Sequence, residues 1–364
     1  MAQAGAPADA PLRIVILGGG AVGGYLAARL AQLGARVRVT LVARGAHLAA
    51  VQSDGLRLVS SKPAPGALPP PDGQPTTIRV PAGALVATDL LQQGERHAAA
   101  DWVLVTVKLF DTKAAIALAQ RAGLIGAATS VASFQNGVDA VALVRDALAA
   151  AGAAGAAGER LVLAGATYTP VTVTAPGEVT HMGAVDRFTF GPASAADAER
   201  YAAAQALAPA ERLLALLQAA GVTAELSPCL AVALWTKLSA KAAFDAVSVL
   251  GRLDLGAALA HPASAALFER AAREVADVAR AIGVGVALDS VETLLAFARE
   301  EQSPRARSSM LTDLEAGKPL EVEFLSGAVA RHGKAAGVPT PVHDVVSAVL
   351  APHAGNWEGV TECV

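Results

Sequence analysis

Cysteine and aromatic residues are scarce in this chain of 364 residues. Only two cysteines occur, Cys229 and Cys363, so no disulfide framework is expected. Cysteine and histidine are never clustered, so nothing resembles a zinc site and we expect no metal. Aromatic residues make up 4% of the sequence, and the core must therefore be built from Ala, Val and Leu. Such a core suits helices that pack on a parallel sheet.

The sequence also lacks a strong excess of one charge and a long apolar run. The net charge of −3 creates no field that would favour nucleic acid or an anionic membrane. No uncharged apolar run is long enough to cross a bilayer. The first residues, MAQAGAPADAPLR, lack the basic and apolar regions of a signal peptide. A composition of 53% hydrophobic and 17% charged residues predicts an ordered globular protein, which we place in the cytoplasm.

The length allows two domains, and the residue pattern changes near residue 226. Before it, strands alternate with helices, which predicts an α/β fold. After it only helices are predicted, so the C-terminal domain is expected to be all-helical, and its apolar helix surface is compatible with a homodimer. The predicted division is a disordered tail at 1–11, an α/β domain at 12–226, a helical domain at 227–352, and a C-terminal tail at 353–364.

Several local patterns complete this division. Residues 61–76 are rich in proline and indicate a surface excursion, to which no chemistry is assigned. Residues 178–191 (EVTHMGAVDRFTFG) resemble a hairpin, and residues 194–220 a single helix. His181 in that hairpin is a candidate acid or base, although a single strand histidine is more often structural. The helices expected in the second domain are 230–250, 262–283, 288–301, 304–316, 320–336 and 341–352.

The run RIVILGGGAVGGYLAARLAQLGARV carries the clearest signal in the sequence. A short apolar strand leads into Gly18, Gly20 and Gly23, which have the G-x-G-x-x-G spacing, and a helix and a second strand follow. The first glycine permits a tight turn, the second lets backbone approach a pyrophosphate, and the third lets the helix pack closely on the strand. The free N–H groups of Ala21 and Val22 at the start of the helix would face the phosphates. Between a strand and a helix, this motif predicts a dinucleotide site.

Polar residues follow three of the predicted strands. Arg44 ends the strand VRVTLVAR, where an NAD enzyme usually carries an acidic residue. An arginine with no acid beside it suits the 2′-phosphate of NADP, so NADPH is the predicted cofactor. Lys108 follows DWVLVTV, and Asn136 follows TSVASFQ, at the strand ends where ligands bind in open α/β sheets. Both side chains could face a nicotinamide.

The helical stretch LWTKLSAKAAFDAV carries Lys237, Lys241 and Asp245 at intervals of four residues, so the three share one face. One interpretation is a solvated face with an ordinary ion pair. The other is a helix that lines a cleft, in which a lysine performs acid–base chemistry. A lysine has an unperturbed pKa of about 10.4, and burial and a second ammonium one turn away would both lower it.

These motifs together resemble the ketopantoate reductase (2-dehydropantoate 2-reductase) family, within the superfamily of 6-phosphogluconate and 3-hydroxyacid dehydrogenases. The resemblance runs from Arg13 to about Val349. It implies a Rossmann NADP-binding domain at 12–226 followed by a helical substrate and dimerisation domain at 227–352, with the active site in the cleft between them. The reaction it implies is reduction of ketopantoate to pantoate by NADPH on the route to coenzyme A. Its landmarks, in order, are ILGGGAVGG, VAR, VTVK, FQNG, LWTKL and SSMLTDLEAGKPLEVEFLSG.

The resemblance also assigns roles to single residues. It places the family's catalytic lysine at Lys237 and its asparagine at Asn136. The strand-end lysine near the nicotinamide is placed at Lys108. The late serine and glutamate are placed at Ser309, which would take the substrate carboxylate, and at Glu321, which would orient Lys237 or bind the nicotinamide side.

Two positions depart from the family pattern, in which asparagines that bind substrate follow the catalytic lysine at four and eight residues. Here Lys241 and Asp245 occupy those positions. Lys241 could tune Lys237 or reach a substrate carboxylate, and Asp245 could hold Lys241, repel an acidic substrate or bind a hydroxyl. A related dehydrogenase that acts on another small hydroxy or oxo acid, in the reductive or the oxidative direction, is therefore an alternative. A third is a dinucleotide sensor without turnover, which would predict a missing catalytic group.

Overall fold

The computed structural model describes most of the chain in two compact units. The first unit contains residues up to Gln135 and from Ala140 to Leu230, and the second contains Asn136–Asp139 and the residues from Ala231 onward. Residues 1–9 and 356–364 of the two predicted tails, and 68–73 of the proline-rich excursion, lie outside the described residues. The described ranges are 10–67, 74–89, 97–152, 160–183, 185–300 and 303–355.

Strands of the first unit form two sheets within the described residues. The strands are β1 Leu12–Leu17, β2 Val37–Val42, β3 Leu56–Ser60, β4 Thr76–Val80, β5 Val86–Thr88, β6 Trp102–Val105, β7 Ser130–Ser133, β8 Val162–Tyr168, β9 Val171–Ala175, β10 Glu178–His181, β11 Arg187–Gly191 and β12 Thr223–Leu226. The main sheet has eight of them in the order β12-β11-β8-β7-β6-β1-β2-β5, and the second has four in the order β4-β3-β10-β9.

The centre of the main sheet is parallel, as predicted for an α/β fold. β1 pairs in parallel with β2 on one side and with β6 on the other, and β6 pairs in parallel with β7. The four residues of β6 are all buried, because helices cover both faces of such a sheet. The carboxyl ends of these strands therefore meet at one edge. The helices of this unit are α1 Ala21–Ala31, α2 Gly45–Asp54, α3 Thr112–Arg121, α4 Ala140–Ala150, α5 Ala195–Ala203 and α6 Ala208–Ala219.

The predicted hairpin over residues 178–191 is wrong. β10 pairs with β9 and β3 in the second sheet, whereas β11 pairs with β8 and β12 in the main sheet. Both segments have the alternation of a strand, but strand partners are set by tertiary packing, which local sequence does not record. His181 ends β10, and its two ring nitrogens lie 2.9 Å from Ser60 Oγ and 2.8 Å from the carbonyl of Val185. Its role is therefore structural.

The single helix predicted over residues 194–220 is also divided. α5 ends at Ala203 and α6 begins at Ala208, and Gln205 between them has a φ of +50°. This left-handed conformation, which is uncommon outside glycine, interrupts the helical hydrogen bonds. Pro209 in the first turn of α6 is the local signal of this break, because proline is tolerated at the start of a helix but not in its interior. The prediction followed the alanine-rich periodicity across it.

The second unit is helical in its described residues. Its two long helices, α7 and α9, bury alanine-rich faces, and a core of Leu, Val and Ala side chains surrounds them. The sequence predicted all of these helices except the short α8. No helix within the described ranges combines the length and apolar character needed to cross a membrane. The helices are α7 Ala231–Gly251, α8 Leu255–Ala260, α9 Pro262–Ala281, α10 Ser290–Glu300, α11 Ser309–Glu315, α12 Ser326–Ala336 and α13 Pro341–Leu350.

Candidate active site

The turn after β1 is packed too tightly for any residue but glycine at two positions. Gly18 has a φ of +113°, and a Cβ there would lie 2.7 Å from the backbone nitrogen of Val107. A Cβ on Gly23 would lie 1.9 Å from the carbonyl oxygen of Gly18, well inside van der Waals contact. The first and third glycines therefore have the roles that the motif predicts, a tight turn and close packing of helix on strand.

The second glycine faces open space instead. A Cβ on Gly20 would meet no atom within 4 Å, and its backbone φ of −70° is one that any residue can adopt. Gly20 precedes the first turn of α1, which has no side-chain cap and no acidic residue, so the N–H groups of Ala21 and Val22 begin an uncapped helix. An uncapped helix N-terminus beside free space fits the pyrophosphate of a dinucleotide.

The two kinds of glycine can be separated by substitution. Gly20→Ala is expected to keep the melting temperature of the protein without ligand, because its Cβ meets no protein atom, and to weaken dinucleotide binding. Gly23→Ala should lower the free energy of unfolding by about 1–3 kcal/mol, as overpacking commonly does. Thermal melting and a fluorescence titration with NADPH measure the two effects. A Gly20→Ala protein with unchanged NADPH affinity would argue against a phosphate at this turn.

Arg44 and Lys108 follow the strands on either side of β1. Arg44 comes two residues after β2, and its guanidinium Nη2 donates to Oδ2 of Asp111 at 2.8 Å. Its side chain is 82% exposed, so the group can turn towards a ligand. Lys108 follows β6 and precedes a 3₁₀ turn over Leu109–Asp111. Both predicted cofactor residues therefore lie in loops at the edge of the sheet that carries the glycine turn.

Gln135 is a buried amide that the sequence analysis did not single out. Its Nε2 donates to the carbonyl of Val107 at 2.9 Å and to Oγ1 of Thr112 at 2.8 Å, while its Oε1 accepts from Ser133. These bonds tie the segment after β7 to the segment after β6. Its place in the FQNG motif was the signal that could have found it, because two of its partners, Val107 and Thr112, are more than twenty residues away in sequence.

Lys237 and Asn136 come together in the second unit, although 101 residues separate them. The Nζ of Lys237 donates a hydrogen bond to Oδ1 of Asn136 at 3.0 Å. Burial, and then the positive charge of Lys241, lower the pKa of Lys237 to about 8, while Glu321 acts in the opposite direction. A lysine with this pKa can both give and take a proton near neutral pH.

Lys241 and Asp245 form the ion pair expected from their spacing on α7. Asp245 is 1% exposed, whereas the side chain of Lys241 is 20% exposed, so the carboxylate is the more deeply buried partner. Burial raises the pKa of Asp245, and Lys241 and the nearby Ser308 counteract that rise only in part. The pair is therefore part of a buried charged cluster and not a solvated face.

The two late residues of the candidate site differ in their surroundings. Glu321 is 7% exposed, and its charge favours the protonated form of Lys237. Ser309 begins α11 and is exposed, while its neighbour Ser308 is buried and accepts from the backbone N–H of Leu311 as the helix cap. The sequence did not distinguish these adjacent serines, and the assignment of Ser309 to the substrate stays a prediction.

Asp139 fixes the short segment that carries Asn136. Its carboxylate lies 2.8 Å from Nε2 of His332 and 3.2 Å from Nη2 of Arg331, both on α12. Burial works to raise the pKa of Asp139, but the hydrogen bonds and charges of these partners outweigh it and lower the pKa. His332 also packs edge-on against Trp235, with ring centroids 5.3 Å apart, two residues before Lys237. The contacts thus hold both members of the Lys237–Asn136 pair.

The chain is similar to known proteins over nearly its whole length. The family model described as "Ketopantoate reductase PanE/ApbA" matches residues 14–195, and the model of its C-terminal part matches residues 230–354. A 2-dehydropantoate 2-reductase of Mesorhizobium japonicum is 32% identical over 350 residues, which cover 93% of this chain and 97% of the relative. One from Halobacterium salinarum is 31% identical, with 91% and 95% of the two chains covered.

A solved structure gives the same result. The PanE/ApbA family ketopantoate reductase from Ralstonia eutropha superposes with a TM-score of 0.73 at 28% identity, over 94% of this chain and 98% of that one. The two family models together span most of the sequence, and the full-length relatives are more than 30% identical to it. Both findings indicate the same family. The chain belongs to the ketopantoate reductase family, and it is an NAD(P)-dependent oxidoreductase that acts on CH–OH groups.

Proposed function

We propose that this enzyme uses NADPH to reduce a 2-oxo acid to the corresponding 2-hydroxy acid, with ketopantoate as the first substrate to test. The observation that carries the proposal is the Lys237–Asn136 pair, in which a lysine of pKa about 8 is held by an amide oxygen. The names of the full-length relatives, all 2-dehydropantoate 2-reductases, support the substrate.

Lys237 is the proposed proton donor. The nicotinamide, when bound, supplies the hydride that converts the ketone into an alkoxide. The ammonium of Lys237 would stabilise the charge that develops on that oxygen and then deliver a proton to it. Asn136 orients the ammonium through the 3.0 Å hydrogen bond, and Glu321 helps to keep it protonated.

Arg44 is the proposed selector of NADPH. Its guanidinium can form paired hydrogen bonds with a phosphate, and it stands at the end of β2, the usual position for recognition of the ribose. The free space at Gly20 and the uncapped start of α1 support binding of the pyrophosphate in the same unit. Lys108 is proposed to lie near the nicotinamide.

The Lys241–Asp245 pair supports a second candidate, a dehydrogenase for a different small hydroxy or oxo acid. A buried ion pair stands where the resemblance expects two neutral amides. Lys241, the more exposed partner, is suited to a substrate carboxylate through a charge-assisted hydrogen bond. Such a pair would favour substrates with a different pattern of donors and acceptors from those that two asparagines bind.

Steady-state oxidation of NADPH by the purified protein with ketopantoate tests the proposal, with NADH measured in parallel. Fast turnover with NADPH is the expected result, and it would show that Lys241 and Asp245 are compatible with ketopantoate. Tight NADPH binding with negligible turnover would favour the second candidate. Other 2-oxo acids, and hydroxy acids with NADP or NAD, would then be assayed.

A further inference from the structure

An ion pair joins the segments that follow the two strands on either side of β1. Arg44 follows β2, and Asp111 is the last residue of the 3₁₀ turn that follows β6. Their side chains meet at 2.8 Å. Both groups therefore stand at the edge where the turn from Gly18 to Gly23 would hold a dinucleotide.

The ion pair between Arg44 and Asp111 is weak enough for a ligand to separate the two side chains. The side chain of Arg44 is 82% exposed and that of Asp111 is 22% exposed, and exposed pairs of this kind are individually weak. Asp111 precedes α3 but makes no side-chain hydrogen bond to its first turn, so the carboxylate does not cap the helix. Arg44 likewise makes no cap bond to α2. Neither side chain is needed to complete a helix end.

The two ribose forms would meet this pair differently. A 2′-phosphate carries a charge of about −1.5 to −2 near neutral pH. It would have to displace the Asp111 carboxylate from Arg44 and then remain beside it. A 2′-hydroxyl carries no charge and can donate a hydrogen bond to a carboxylate, as it does to the acidic residue of NAD enzymes. Asp111 therefore opposes one cofactor and can accept from the other.

We propose that Asp111 is a specificity-determining residue that limits the enzyme's preference for NADPH over NADH, by occupying Arg44 and by facing the ribose 2′ position. This rests on the proposed function of Arg44 as the phosphate-binding residue. The enzyme accordingly has a weaker preference for NADPH than Arg44 alone would give. In NAD enzymes the acidic residue that binds the ribose usually lies at the end of the second strand. In this chain the proposed acidic residue comes from the segment after β6 instead.

Direct binding tests the proposal without any substrate. NADPH and NADH are titrated into wild-type protein and into Asp111→Asn, Arg44→Gln and Asp54→Asn, with nucleotide fluorescence as the readout. Asp111→Asn should raise the NADPH/NADH affinity ratio on the order of 10-fold, the effect of removing a unit charge about 5 Å from a doubly charged phosphate in a water-like medium. Arg44→Gln should lower the ratio by a similar factor.

Asp54→Asn is the matched control. It removes the same charge from the same unit, but at the last residue of α2, about 14 Å along the helix axis from its first residue. The ratio should stay within twofold of wild type. An unchanged ratio in Asp111→Asn, with a lowered ratio in Arg44→Gln, would overturn the role of Asp111 and leave NADPH selection by Arg44 intact. An unchanged ratio in Arg44→Gln would overturn both assignments.

Discussion

Replacement of Lys237 by methionine is expected to lower kcat for the reduction by roughly 10²- to 10⁴-fold, the usual contribution of a positioned general acid. Methionine keeps the length and apolar stem of the side chain but cannot give a proton to the alkoxide. Asn136 would lose its hydrogen-bond donor without any change in its own position, which Asp139 secures. Single-turnover rates with saturating nucleotide would measure the effect on the chemical step.

Lys334→Met is the matched control for that substitution. Lys334 is an exposed lysine on α12, in the same helical unit. Its replacement should leave kcat unchanged, and NADPH affinity should be unchanged in both variants because the glycine turn lies in the other unit. A Lys237→Met enzyme with near-normal turnover would remove the proton donor from the proposed mechanism.

The pH profile gives an independent readout of the same group. The proposed mechanism requires the ammonium form of Lys237, so kcat/KM should fall as the pH rises through the pKa of Lys237, about 8. The charge of Glu321 raises this pKa, so Glu321→Gln should move the falling limb to lower pH. A limb that stayed in place in the Glu321→Gln enzyme would mean that another group controls the rate.

Replacement of Lys241 alone by methionine is expected to lower the free energy of unfolding by about 3–5 kcal/mol, the typical cost of leaving one buried charge without its partner. Asp245 is 1% exposed and keeps its carboxylate in the interior. The pKa of Asp245 is already raised by burial, and loss of Lys241 would raise it further. Denaturant titration measures the change.

The raised pKa of Asp245 determines how the stability of the Lys241→Met variant changes with pH. A carboxyl whose folded pKa exceeds its unfolded pKa is protonated preferentially in the folded state, so stability falls as the pH rises through the folded pKa. The loss in free energy of unfolding caused by Lys241→Met should therefore be smaller at pH 5 than at pH 8. The double substitution Lys241→Met with Asp245→Leu should restore most of the loss, because no buried charge remains. Equal stability of wild type and Lys241→Met at pH 8 would show that Asp245 is not held as a buried anion.

Much of the dinucleotide-binding unit could be predicted because its determinants are local. The apolar strand before Gly18, the glycine spacing and the following helix lie within about twenty residues, and each constrains its neighbours. The helices of the second unit were also predicted from local sequence, because the spacing of apolar residues in alanine- and leucine-rich segments has the period of a helix. The spacing of Lys237, Lys241 and Asp245 on α7 placed them on one face before any tertiary contact was known.

The features that the sequence analysis did not predict depend on partners that are distant in the sequence. β10 and β11 looked like a hairpin because nothing in residues 178–191 records that each pairs in a different sheet. Asp111 carries no local signal for the role proposed for it, because Arg44 is 67 residues away. Asp139 likewise meets Arg331 and His332 across more than 190 residues. Such pairings arise from topology, and a single sequence does not reveal which exposed charge will meet which.

The four residues Asn136–Asp139 have a consequence for modularity. They belong to the helical unit by their contacts, although the chain on both sides of them belongs to the α/β unit. A cut at residue 230 would leave Asn136 and Asp139 on one fragment and Lys237, Arg331 and His332 on the other. A single recombination junction at residue 230 therefore could not exchange the complete helical unit between relatives. A functional chimera would need two further crossovers, one on each side of Asn136–Asp139, so that this segment and the helices it contacts come from the same parent.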